Sequence, residues 1–126
     1  MSGAQSTDAG VARLRGAGFG GHDGKVLAEF YAAALGWQVA QTFGDSAVMI
    51  SDGTTGYVFY TARDYQAPNW PEDELAFHLE LSVDDVAVAE ERLLALGATK
   101  PAHQPGGERW TVLLDPSGQP FCISAS

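Results

Sequence analysis

The sequence predicts an α+β fold made by duplication, and two observations carry that reading. First, "AEFYAAALG" at 28–36 returns as "AEERLLALG" at 89–97, with Ala, Glu, Ala, Leu and Gly in step 61 positions later. Second, the surroundings repeat in the same order. Each copy has an extended run, an acidic residue, an Ala- and Leu-rich helix ending at glycine, and then further β-forming runs. Self-similarity of this kind marks one supersecondary unit written twice. Each unit reads β-α-β-β-β, and two such units can build a cavity between them.

Taken in order, residues 1–10, "MSGAQSTDAG", are small and polar and read as a flexible N-terminal tail. They lack the basic start and apolar block of a secretory signal. The domain then spans 11–126. Module one covers 11–62 and opens with the extended run "VARLRGAGF". Asp23 in "HDGK" offers a side-chain oxygen to the first free amides of a helix. That helix stops at Gly36, since glycine suits the left-handed turn after a last helical residue. The runs "WQVAQTF", "SAVMIS" and "GYVFYTA" are rich in β-formers and read as strands. A connection follows at 63–75, "RDYQAPNWPEDEL", marked by prolines and charges.

Module two covers 76–126. It opens with "AFHLELSV", where Phe77, Leu79, Leu81 and Val83 alternate with His78, Glu80 and Ser82. Alternation sends successive side chains to opposite faces, so the apolar set should meet a helix and the polar set should face away from it. Asp84 or Asp85 starts the second helix, Gly97 ends it, and "ATKPAH", "RWTVLLD" and "FCISA" read as strands. Between the last two, "DPSG" at 115–118 has the residue order of a type I turn, and "SDGTTG" at 51–56 is its looser counterpart.

Composition excludes several functions. The chain has 126 residues, enough for one domain or two packed halves, and 45% of them are hydrophobic, enough for a sizeable core. A net charge of -9, from 7 basic and 16 acidic residues, would repel phosphate backbones and argues against nucleic acid as a partner. No apolar run is long enough to span a membrane. The one cysteine, Cys122, leaves no internal disulfide and fits a reducing cytoplasm.

The stretches "LAEFYAAALGW", "FHLELSVDDVAVAEERLLALGA" and "LLDPSGQPFCI" resemble the vicinal oxygen chelate superfamily, which includes glyoxalases, extradiol dioxygenases and bleomycin-resistance proteins. The likeness covers most of the chain and is nearest to small glyoxalase-like domain members. It implies two βαβββ modules forming a curled, cup-shaped mixed sheet, and a homodimer. In metal-using members, the resemblance implies, ligands come from the first strand of each module (His or Gln) and from the last (Glu). On that pattern His78 takes the first-strand position of module two and Cys122 the last. In module one the first-strand position falls on Gly16 or Ala17 and the last on Val58 or Phe59. None of these four has a side chain that binds metal. Two ligands fall short of the usual three, so no metal and no cofactor is expected, although Glu80, two residues from His78, shares its face.

The ligand-binding expectation therefore falls on His78, Glu80, Phe59, Tyr57, Trp70, Trp110, Cys122 and Gly18, with no catalytic residue assigned. Glycines at 16, 18, 20 and 21 leave room along a strand facing the cup. Tyrosine and tryptophan offer broad faces to flat organic ligands. Each candidate also has a plain structural reading. The aromatics serve as core, His78 pairs with Glu80 or a water, and Cys122 is a small buried hydrophobe between Phe121 and Ile123. The leading expectation is a metal-independent protein that binds a small, aromatic organic ligand and sequesters an antibiotic or natural product. The alternative is a glyoxalase-like lyase, isomerase or dioxygenase that uses a metal or His78 as base. A regulatory domain with a self-filled cup is the third.

Overall fold

A computed structural model describes residues 10–125. The tail read over 1–10 lies, apart from Gly10, outside the described residues. The element order is β1 (Gly16–Gly21), α1 (Gly24–Leu35), β2 (Gln38–Phe43), β3 (Ala47–Ser51), β4 (Gly56–Thr61), β5 (Glu80–Val83), α2 (Val86–Leu96), β6 (Thr111–Leu114) and β7 (Pro120–Ala125). Residues 63–79 carry turns but neither helix nor strand.

Both helices start and stop on the residues that the sequence offers for it. Asp23 accepts hydrogen bonds from the amides of Lys25 and Val26, at 3.0 and 3.2 Å. Of the two acidic residues before α2, Asp85 is the cap, accepting from the Val88 amide at 3.1 Å. Gly36 ends α1 at φ 71°, the left-handed region that a side chain disfavours.

Hydrogen bonding divides the strands between two mixed sheets, in the orders β1-β4-β3-β2 and β5-β7-β6. In each, the first strand runs parallel to the last and the remaining pairs are antiparallel. Module two departs from the expected three strands after its helix. "ATKPAH" contributes only one bridge, Thr99 to Leu114. Pro101 has no amide to donate, which stops the ladder there. The opening run of module two is also shorter than expected. Residues 76–79 precede β5, and Phe77 is 85% exposed instead of packing on a helix, whereas Leu79, Leu81 and Val83 do pack on the core.

One core joins the helix-facing sides of both sheets. At its centre Tyr31 of α1 stacks on Phe59, ring centroids 5.1 Å apart, and meets Phe121 of β7 edge-on at 6.0 Å. Full burial of each such ring contributes roughly 1.5–3 kcal/mol. One polar bond crosses this core: the Tyr31 hydroxyl donates to Asp115 Oδ2 at 2.7 Å. Asp115 also closes its own turn, as its Oδ1 accepts from the Ser117 and Gln119 amides and its carbonyl accepts from Gly118. The "DPSG" turn of module two is thereby tied to the helix of module one. With the helices packed on the shared core, the opposite face of each sheet is left open.

Candidate functional site

The open face of the second sheet floors a hollow of about 560 Å³. Glu80 and Cys122 sit directly opposite each other on the parallel strands β5 and β7. His78 lies two residues before Glu80, hence on the same face. The Cys122 amide donates to the Leu79 carbonyl at 2.9 Å, which holds the residues before β5 beside β7. His78 Nε2 and Glu80 Oε2 are hydrogen-bonded at 2.6 Å. The ligand atoms of His78, Glu80 and Cys122 all lie within 4.8 Å of one another. Burial, and secondarily the negative charge of Glu80, push the Cys122 thiol up from its usual range.

Trp70 from the connection and Trp110 from the loop before β6 wall this hollow, with Leu75, Pro105 and Arg109. The Arg109 guanidinium lies 5.0 Å from the centre of the Trp110 ring, within cation–π range. The buried Gly106 packs against the indole of Trp110 so closely that a Cβ there would overlap the ring. Trp70 in turn meets the His103 ring edge-on at 5.2 Å.

A second hollow, of about 630 Å³, lies between β1 and the segment 74–79. Gly18, Tyr57 and His78 line it, with Tyr31 and Asp115 at its inner wall. The eight expected ligand-binding residues thus separate. His78, Glu80, Trp70, Trp110 and Cys122 meet in the first hollow, Gly18 and Tyr57 belong to the second, and His78 borders both. Phe59 is the correction. It is fully buried under α1 and lines neither hollow. Along β4 the alternation puts Phe59 on the core side, and Val58 and Tyr60 on the open face.

Sequence reasoning missed Arg109, Pro105 and Ser124 of the first hollow. Ser124 was within reach, being two residues from Cys122 on one strand; the two loop residues carry no periodic signal. It also missed the Tyr31–Asp115 pair. Burial raises the Asp115 carboxyl, and the bond from Tyr31 and those from backbone amides offset this only in part. Burial and the Asp115 carboxylate together push the Tyr31 hydroxyl far above its usual range.

The two-module metal set implied by the resemblance does not fit these residues. In module one, Gly18 pairs with Val58 and Ala17 with Tyr57 across β1 and β4, and neither Gly16, Ala17, Val58 nor Phe59 offers a nitrogen, oxygen or sulfur side-chain donor. The only cluster of at least three potential donors among the described residues is His78, Glu80 and Cys122, all from module two.

The family described as a glyoxalase-like domain matches residues 19–124. Several solved structures share the fold. A possible glyoxalase from Bacillus cereus superposes with a TM-score of 0.68 at 14% identity, covering 90% of this chain and 98% of that one. A glyoxalase/bleomycin resistance protein/dioxygenase family enzyme from Burkholderia phytofirmans PsJN gives 0.67 at 20% identity, with 90% and 98% covered. A lactoylglutathione lyase from Agrobacterium tumefaciens gives 0.56 at 16% identity, with 93% and 95% covered. No curated protein matches the sequence with significance. Paired modules, the helix-backed sheets with their first and last strands parallel, and a family match over most of the chain lead to one conclusion: the protein belongs to the glyoxalase-like domain family of the vicinal oxygen chelate superfamily.

Proposed function

We propose that the protein binds a flat, amphipathic organic molecule in the hollow over the second sheet, acting by sequestration in the manner of bleomycin-resistance proteins. The observation that carries this reading is the wall of that hollow. Trp70 and Trp110 present broad faces, Arg109 adds a cation beside one of them, and the volume falls within the range of small-molecule sites. Among the described residues Arg109 has no salt-bridge partner, which favours a ligand carrying an acidic or carbonyl oxygen. Affinity of this kind comes from enclosure and stacking, and neither needs a metal.

A homodimer is part of the proposal. Among the residues lining the hollow, none comes from β1–β4. The open face of the first sheet meanwhile carries Phe43, Met49, Val58 and Tyr60, in cross-strand rows set by the pairings Phe43–Ala47–Tyr60 and Gln41–Met49–Val58. A second copy laying that face over the hollow would close it. The test is a fluorescence titration with a panel of flat polyketide-like drugs. Saturable quenching that is lost in Trp110→Leu supports the reading, and unchanged emission across the panel overturns it.

The hydrogen-bonded His78–Glu80 pair favours a second reading, an enzyme in which Glu80 orients His78 as a base. Turnover of any panel compound, abolished in His78→Ala while quenching persists, would select it.

A further inference from the structure

We propose that the second hollow is a separate binding site for a small lipophilic amine, held in its protonated form. The first hollow offers Arg109 to an acidic or carbonyl oxygen. The second offers carboxylates, and neither lysine nor arginine is among the described residues that line it.

The site exists because two sheet edges do not meet. β1 is the outer strand of the first sheet, and among the described residues it pairs with β4 alone. Residues 74–79 form no strand, so a space of about 630 Å³ remains between them and β1. That volume suits a small organic molecule. Phe19 and Tyr57 share the side of β1 and β4 that carries Phe59. The hollow therefore lies on the helix-backed side of that sheet, with Leu27 and Tyr31 of α1 in its wall.

Its chemistry is an apolar passage with a carboxylate at each end. Glu74 is exposed at the mouth, and Asp115, 5% exposed, stands at the inner wall. His78 borders the hollow but is hydrogen-bonded to Glu80. Asp115 Oδ1 accepts from two backbone amides, whereas Oδ2 accepts only from Tyr31. A carboxylate oxygen has room for two donors, so Oδ2 keeps one lone pair. Burial raises this carboxyl, and a positive group in the hollow would supply the charge that offsets the burial. The aromatic faces of Tyr57 and Phe77 attract a cation as well as apolar groups.

Phe77 is the observation that points to an occupant. It lines the hollow beside Leu75 and Leu79, yet it is 85% exposed. Gln119 fixes it there. Its side chain donates to the Phe77 carbonyl at 3.3 Å, and its amide donates to Asp115 Oδ1 at 3.1 Å. The ring at the mouth and the carboxylate within are thus held in one frame. An amine whose ammonium reaches Asp115 and whose apolar body lies against Phe77 takes that ring out of water and fills the free lone pair.

The probe is naphthylethylamine, with naphthylethanol as its uncharged counterpart. Each is titrated into the full chain by calorimetry and by amide-resolved NMR. The amine should bind saturably, shifting the Gly18 and Gly20 amide signals and leaving the indole signals of Trp70 and Trp110 in place. The alcohol should bind at least about tenfold more weakly, because a hydrogen bond to a charged donor is about twice as strong. Asp115→Asn should weaken the amine by about tenfold and leave the alcohol nearly unchanged. Phe77→Ala, at an exposed side chain, should weaken both. Circular dichroism reports whether each variant is folded. If Asp115→Asn does not fold, the comparison of amine with alcohol on the native chain decides. The site is overturned by an absence of saturable amine binding, by equal affinities for amine and alcohol, by shifts confined to the two indoles, or by an affinity unchanged in Phe77→Ala. Drug quenching at Trp110 reports on the first hollow alone, so either reading can fail while the other stands.

Discussion

Tyr31 and Asp115 form the one hydrogen bond between two side chains that links the two modules among the described residues, and its removal should be felt. Tyr31→Phe leaves Asp115 Oδ2 without its donor in a buried place, at an expected cost of about 1–3 kcal/mol in urea unfolding. The carboxyl also sets a pH dependence. Its pKa is raised on folding, so the folded chain holds this proton more tightly than the unfolded chain does. Its contribution to stability is therefore fully present below the unfolded carboxylate range and is lost as pH rises through the folded value. Asp115→Asn, which does not titrate, should flatten the slope of unfolding free energy upward from about pH 4. Equal slopes in the two proteins would refute this. At Gly106 a methyl group has no room beside Trp110, so Gly106→Ala should displace the indole and alter its emission even without ligand. In the candidate site, period-two alternation made His78 and Glu80 legible as neighbours on one face, and the resemblance, not the alternation, pointed to Cys122, which pairs with Glu80 across the sheet. Asp115 was legible only as a turn residue. A turn motif states how a side chain bonds its own backbone, but says nothing of the hydroxyl that arrives from another module 84 positions away.

The helices are the elements that local sequence specifies most fully. Their caps, lengths and glycine stops follow from neighbours within a turn, and Asp23→Ala should cost about 1 kcal/mol by thermal unfolding, since two amides lose their acceptor. The strands were read less well wherever their fate depends on a partner. The run 76–79 alternates as a strand should, yet Phe77 ends in solvent because only Leu79 onward finds β7 alongside. "ATKPAH" has one β-forming threonine and a proline two residues later, and the proline wins. Gly16 shows the reverse case, a residue whose role becomes visible only in the pairing. A Cβ there would run into the Gly56 carbonyl of β4, so Gly16→Ala should loosen β1 and lower the melting temperature, whereas alanine at Gly18, where the nearest atom is 3.8 Å away, should not.

At the scale of the whole molecule, the sequence led to one shared site, and the expected site residues divide between two hollows with His78 bordering both. The duplication was legible because each module repeats local signals. The sorting of residues between hollows was not, because it depends on how two helix-backed sheets lean on a common core. If the first hollow is closed by a second copy, replacing Tyr60 or Phe43 on the open sheet face by aspartate should shift the protein toward monomer in light scattering and weaken drug quenching together. Loss of one without the other would separate assembly from binding. A further consequence follows from strand order. In both sheets the last strand of a module lies between the first strand and the one just before it in sequence. During synthesis, then, β1 stays unpaired until β4 is made, although β2 and β3 can already pair, and β5 and β6 both wait for β7. The Tyr31 hydroxyl likewise waits for a carboxylate that is made 84 positions later, and the core that Tyr31 shares with Phe121 closes only once β7 is in place.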